Sequence, residues 1–215
     1  MPQQNQSVRG VLFGIHCASI GRPNRDKSLT GLWVDWQSGV VLIRRERTGD
    51  ERSVHRIHDL AFGSRSGAPA PEATLVDELR QDPDAWLPRL SLVAEEDELP
   101  VGHVLCSRGR LRGEVPVLAL GPIAVLPHHQ RIGIGTALVH AVCAAADALE
   151  EPLVILLGDP RFYRRTGFVL AEQFRIIPPE PAWAPHFQAR SLTAFDPQVH
   201  HGEFRYAAAF DSIPA

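Results

Sequence analysis

Residues Leu118 to Leu138, LALGPIAVLPHHQRIGIGTAL, constrain the fold more than any other stretch of the chain. An apolar strand ends at Ile123, Ala124 and Val125, Pro127 to Arg131 turn the chain, and Gly133 and Gly135 remove Cβ atoms where a helix begins. The first turn of a helix has unpaired N–H donors and the positive end of the helix dipole, so a corner without side-chain bulk there is a receptor for phosphate. From Ile134 an apolar stripe of Leu138, Ala141, Val142, Ala145 and Leu149 predicts a helix that docks on the sheet, with His140 and Asp147 facing solvent. The strand, Val117 to Val125, is apolar throughout yet contains Gly121-Pro122. Proline cannot donate to a ladder, so this pair predicts a bulge or a parting of neighbouring strands.

A dinucleotide fingerprint would need a third glycine and, roughly 20 residues on, an acid for the ribose. The third position here is Leu138, and the glycines follow a polar corner rather than the strand itself.

A second stretch carries its own local grammar. Leu153 to Leu157 is a continuous apolar strand, followed by Gly158-Asp159-Pro160-Arg161-Phe162-Tyr163-Arg164-Arg165-Thr166-Gly167-Phe168. Asp159 is a natural N-cap, Pro160 suits the first helical position and Gly167 suits a left-handed C′. Upstream, Val40 to Arg44 is strand-like, and Thr48-Gly49-Asp50-Glu51 has the pattern of a capping box. A helix with Val54, Ile57, Leu60 and Ala61 on one face should follow. Gly63 to Pro71 reads as a loop, and a second helix carrying Leu75, Val76 and Leu79 stops near Asp82-Pro83. Leu90 to Glu95 and Val101 to Ser107 form a hairpin around Glu96-Asp97-Glu98, with Arg108, Arg110 and Arg112 on a solvated edge. Phe187 to Leu192 reads as a final strand.

Gln130-Arg131-Ile132-Gly133-Ile134-Gly135 resembles the acyl-coenzyme A loop of the GNAT superfamily of N-acetyltransferases, Gln/Arg-x-x-Gly-x-Gly/Ala after a strand. Phe162-Tyr163-x-x-x-Gly167-Phe168 resembles the second hallmark of that family, and the two stand in the family's order. The likeness, to the bacterial YhbS-like type, covers Val41 to about Leu192. It implies an α/β (α+β) fold, a mixed central sheet flanked by helices with its fourth and fifth strands splayed, and acetyl-CoA as donor without a metal. The backbone of Ile123, Ala124 and Val125 would hold pantetheine, and Arg131, Ile132, Gly133, Ile134, Gly135 and Thr136 the pyrophosphate, with Gln130 also among the coenzyme-binding residues. Tyr163 would give a proton to the leaving thiolate after direct attack by an amine in a ternary complex. The acceptor is an amine of a small molecule, a protein or a peptide. Many relatives place a glutamate on the central strand, but Val117 to Val125 offers no titratable side chain, so an ordered water, or a histidine or acid from elsewhere, must take the amine proton.

Composition narrows the alternatives. A net charge of −3 gives no basic footprint for nucleic acid, and no stretch approaches the apolar length of a membrane span. Lys27 is the sole lysine among 22 basic residues. Cys17, Cys106 and Cys143 are far apart and odd in number, which suits a reducing cytoplasm. The pairs His128-His129 and His200-His201 lack a Cys or carboxylate at ligand spacing. A homodimer is compatible with all of this. A CoA-binding regulator without turnover would keep the glycine loop and need no Tyr163; a purely structural module would need neither motif.

Residues 1–40 read as an extension, disordered and outside a domain spanning 41–210. A chain starting at Val40 is therefore expected to fold and to hydrolyse acetyl-CoA like the full chain. Its melting transition and thiol release check this, and failure to fold would contradict it.

Overall fold

The computed structural model describes residues 40–63 and 68–213, so the expected extension lies outside the described residues, Val40 apart. Three antiparallel strands open the sheet: β1 (Leu42–Arg45), β2 (Ser91–Glu96) and β3 (Leu99–Leu111). Then come β4 (Val115–Val125), β5 (Leu153–Leu157), β6 (Val169–Leu170), β7 (Ile176–Ile177), β8 (Phe187–Ser191) and β9 (Gly202–Arg205). The order across the sheet is β1-β2-β3-β4-β5-β8-β6, while β9 pairs with the end of β3 and with β7. The helices are α1 (Glu51–Phe62), α2 (Pro71–Gln81), α3 (Ile134–Ala148) and the one-turn α4 (Pro160–Tyr163). None of the described helices is long and apolar enough to cross a membrane.

The two sheet faces carry two cores, because alternate residues of each strand point to opposite sides. On one face Val54, Leu75, Val76 and Leu79 of α1 and α2 pack on Val93, Leu105, Val117, Ala119 and Ile155. On the other, Leu138, Val142 and Cys143 of α3 pack on Val104, Leu118, Leu120, Ile123 and Leu156. Each fully buried leucine, isoleucine or phenylalanine contributes about 1.5–3 kcal/mol of transfer free energy.

Several expectations are corrected here. The Thr48 capping box does not form: Asp50 stands at the N-cap of α1 without a side-chain cap bond, and its carboxylate takes Arg44 Nη1 at 2.6 Å and Nη2 at 3.0 Å. The same carboxylate accepts from Arg47 N at 2.7 Å and Glu51 accepts from Gly49 N at 2.8 Å, so the two acids take donors of the turn before the helix, and Thr48 stands two residues ahead of the N-cap. Leu60 is 46% exposed and its place on the buried face of α1 is taken by His58. Arg108 is not on a solvated edge either. The strand β3 has β4 beside it, and Arg108 Nη1 and Nη2 each reach a Glu151 carboxylate oxygen at 2.7 Å. Finally, β8 is not the last strand; it runs antiparallel to β5 and β9 follows it.

The site depends on how β4 meets β5. These two strands are parallel, and they pair only at Leu118↔Val154 and Ala119↔Ile155, although β4 continues to Val125 and β5 to Leu157. The β3–β4 register shifts between Val104 and Cys106, opposite Gly121-Pro122. The bulge and the end of β4–β5 pairing thus fall where the proline removes a donor. A wedge opens between β4 and β5, as the sequence predicts.

Candidate active site

The wedge is bounded on one side by the distal half of β4. Ile123, Ala124 and Val125 are buried and pair with Val104, His103 and Gly102 of β3, leaving their other flank without a strand partner. Gln130 turns back to this strand, its Nε2 donating to the Val125 carbonyl at 3.0 Å. Its side chain anchors the corner instead of facing outward with the loop.

The corner then leads into α3. Arg131 and Gly133 have φ of 65° and 101°, and Gly133 is the N-cap. A Cβ added at Gly133 would meet nothing within 4 Å, so the space in front of the helix terminus is open. Arg131, Ile132 and Gly133 are exposed, Ile132 at 67%, whereas Ile134 and Gly135 are buried and Thr136 is half-buried. The first turn of α3 has no acidic side chain and no side-chain cap, so its N–H donors and dipole are available to an anion.

Tyr163 closes the wedge from the other side. Asp159 caps α4, its Oδ1 accepting from Arg161 N at 2.8 Å, Pro160 occupies the first turn, and Gly167 ends the segment at φ 86°. This geometry is the one read from the sequence, and it drives Tyr163 inward. Its ring lies edge-on to Phe162 (4.8 Å, 87°) and Phe168 (5.7 Å, 68°), in the same core as Ile123, Val125 and α3. The hydroxyl is buried and has no hydrogen-bond partner among the described residues. Burial, helped by Cys143, raises its pKa, so it holds its proton at any neutral pH. An unpartnered buried hydroxyl costs about 1–3 kcal/mol.

The residues expected from the sequence therefore gather around the wedge from three elements: the end of β4, the corner and first turn of α3, and α4. A surface cavity of about 710 Å³, lined by Arg108, Arg110, Val115, Pro116 and Glu151, lies at the opposite end of β4 and includes none of them.

A polar cluster on the other sheet face was not singled out from the sequence. His58 of α1 and His103 of β3 are fully buried, with His58 Nε2 and His103 Nδ1 2.8 Å apart. His103 Nε2 lies 2.9 Å from Ser91 Oγ and 3.4 Å from Glu46 Oε2, and the Ser91 hydroxyl donates to Glu46 Oε2. Arg80 donates to Glu46 Oε1 from Nε at 3.0 Å and from Nη2 at 2.7 Å. Burial would raise the Glu46 carboxyl, but His103, Ser91 and Arg80 together hold it down at about 2. Burial lowers both histidines, His58 the further, while Glu46 partly restores His103. The signal available was a histidine in each of two apolar patterns: His58 at i+4 from Val54, and His103 between Val101 and Val104.

Residues 88–170 match the family model of the acetyltransferase (GNAT) domain, a span holding the corner, α3 and Tyr163. The N-acetyltransferase YjhQ of Escherichia coli K12 is 32% identical over 165 residues, which covers 74% of this chain and 87% of YjhQ. This chain belongs to the GNAT superfamily of N-acetyltransferases. YhbS of the same organism is 32% identical over 154 residues, 71% of this chain and 87% of YhbS. In three dimensions the GNAT fold is matched by the E. coli YhbS structure, in complex with CoA, at a TM-score of 0.71, with 27% identity over 80% of this chain and 93% of that one. A GNAT acetyltransferase from Brucella melitensis, in complex with acetyl-CoA, matches at 0.65 and 31% identity over 80% of this chain and 99% of that one.

Proposed function

We propose that this GNAT protein transfers the acetyl group of acetyl-CoA to an amine, by direct attack of the amine on the thioester in a ternary complex. The observation that carries this is the coincidence, along one wedge, of three polar features without a protein partner among the described residues. These are the unpaired flank of β4 beyond Ala119, the uncapped α3 terminus, and the unpartnered Tyr163 hydroxyl. The backbone of Ile123, Ala124 and Val125 would pair with the pantetheine amides, within the limit that the Val125 carbonyl already accepts from Gln130. Residues 131–136 would hold the pyrophosphate at the helix terminus. Tyr163 would protonate the thiolate. The relatives solved with CoA and with acetyl-CoA support the choice of donor. The unpaired, buried Cys106 and Cys143 support a reducing, cytoplasmic setting. The acceptor is an amine on a small molecule, protein or peptide.

Acetyl-CoA at about 100 times its Kd should stabilise the folded chain by about 2.7 kcal/mol, raising Tm by several degrees, whereas NAD should not. Equal shifts by acetyl-CoA and NAD, or none, would sink the reading. A CoA-binding regulator would give the same shift but no amine-dependent thiol release. A sharper variant is Thr136→Glu. Thr136 is the third residue of α3, where a carboxylate favours the helix, so folding should be unharmed or improved. The same charge would sit against the pyrophosphate and raise the acetyl-CoA Kd by about tenfold or more. Calorimetry finding unaltered affinity would remove the α3 terminus from the site.

A further inference from the structure

The strand that faces the wedge supplies no base, since Val117 to Val125 has no titratable side chain. Directly across the ladder from Ala124 stands His103, and His58 of α1 is hydrogen-bonded to it from above the sheet. The protonation pattern of the cluster can be worked out from its anchor. Glu46, held by Arg80, is ionised and can only accept, so the Ser91 hydroxyl donates to it. The lone pair of Ser91 Oγ then takes the His103 Nε2–H. His103 Nδ1 is left bare and must accept from His58 Nε2–H. In a neutral imidazole one nitrogen is donor and the other acceptor, so His58 Nδ1 carries a free lone pair. That atom is buried and has no partner among the described residues.

The geometry points to a catalytic role for this cluster, resting on the acetyl-transfer reading: His58 Nδ1 is the general base that receives the acceptor's proton, and His103, Ser91 and Glu46 are positioning residues that hold its tautomer and take up the charge. As the amine nitrogen bonds to the thioester carbon, one of its N–H bonds breaks and the proton passes to His58 Nδ1. The Nε2 proton of His58 moves to His103 Nδ1, which leaves an imidazolium facing the Glu46 carboxylate. The C–S bond breaks with its electron pair on sulfur, and Tyr163 donates a proton there. The relay then discharges to solvent, from which Tyr163 is reprotonated. The base on α1 and the acid on α4 thus stand on opposite faces of the sheet.

The relay works when both histidines are neutral. The titratable and charged groups around them are Glu46 and Asp50 before α1, His55 on α1, and Arg80 with its partner Asp77 on α2; β4 contributes none. Burial and Arg80 keep the histidines below the ordinary value of 6.5, so the acid limb of the rate profile should lie below that pH.

The test combines a spectrum with a rate. Imidazole ¹⁵N–¹H correlation spectra of the wild-type chain, assigned through the backbone, should give both His58 and His103 as Nε2–H tautomers. A proton on His58 Nδ1 would overturn the proposal without reference to any substrate and without needing a variant. His58→Asn should bind acetyl-CoA in calorimetry as the wild type does. Its thiol release with acetyl-CoA and hydroxylamine as probe nucleophile should fall about 10²-fold and rise steadily with pH, its plateau lost. An unchanged rate and plateau in His58→Asn would reduce the cluster to a structural clasp. Absence of acetyl-CoA binding to the wild type would instead refute the donor reading, and this proposal with it.

Discussion

Tyr163→Phe is expected to lower kcat by about 10²-fold, the lower end of the range for a general acid because a thiolate is a good leaving group. The Kd for acetyl-CoA should hardly change, since a bond made mainly in the transition state appears in kcat rather than in ground-state binding. Stability should move the opposite way. The hydroxyl is buried without a partner, so its removal relieves a desolvation cost of about 1–3 kcal/mol while the ring and its contacts with Phe162 and Phe168 remain. A variant that is more stable and less active is the mark of a group retained for chemistry. Because burial raises the pKa of the tyrosine, no loss of this proton should be visible as a basic limb at ordinary assay pH. Equal kcat for the two proteins would reject the proton-donor role, and a raised Kd with unchanged kcat would make Tyr163 a binding contact.

The second large effect is expected at Gly158, between β5 and α4. Its backbone needs no unusual φ; the constraint is space. A Cβ there would overlap Cε2 of the Tyr163 ring and lie 2.8 Å from its Cδ2 and 3.2 Å from Leu156 Cδ1. The ring cannot retreat, because Phe162 and Phe168 meet it edge-on and it is fully buried. Gly158→Val should therefore cost about 1–3 kcal/mol as overpacking, or about 2–4 °C of Tm per kcal/mol in a chain of this size. It should also lower kcat by moving the hydroxyl. Adding Tyr163→Leu should restore much of the stability and none of the activity, so the two sites should couple strongly in a double-mutant cycle. An unaltered melting transition in Gly158→Val would show that the ring has room the geometry does not indicate.

These two neighbours illustrate what each level of information decides. The α4 segment was legible in the sequence because every determinant lies within a few residues: Asp159 caps its own helix, Pro160 starts it, and Gly167 supplies the left-handed end. The same holds for the corner before α3, where Gly133 has the positive φ its position calls for, and for the Asp97-Glu98 turn between β2 and β3. The bulge at Gly121-Pro122 belongs here too, because a missing donor is a property of one residue.

Tertiary structure decided what local chemistry leaves open, namely which of several competent partners a group takes. Thr48 to Glu51 had the residues of a capping box, but α1 begins after Asp50, whose carboxylate holds Arg44 of β1 and the Arg47 N–H, and Glu51 takes the N–H of Gly49 instead of that of Thr48. Arg108 had the spacing of a solvated edge until β4 covered its strand and Glu151, 43 residues away, supplied a carboxylate. Leu60 and His58 competed for the inner face of α1, two residues apart. His58 took it because His103, 45 residues downstream, offered a buried acceptor that no neighbour in the chain could provide. Periodicity, caps and special φ are written in contiguous residues, so the sequence alone determined the main helices, the central strands and the glycine corner before α3. A buried hydrogen bond or ion pair needs two groups brought together by the sheet register, so the His58–His103–Ser91–Glu46 cluster and the environment of Tyr163 came into being only with the fold.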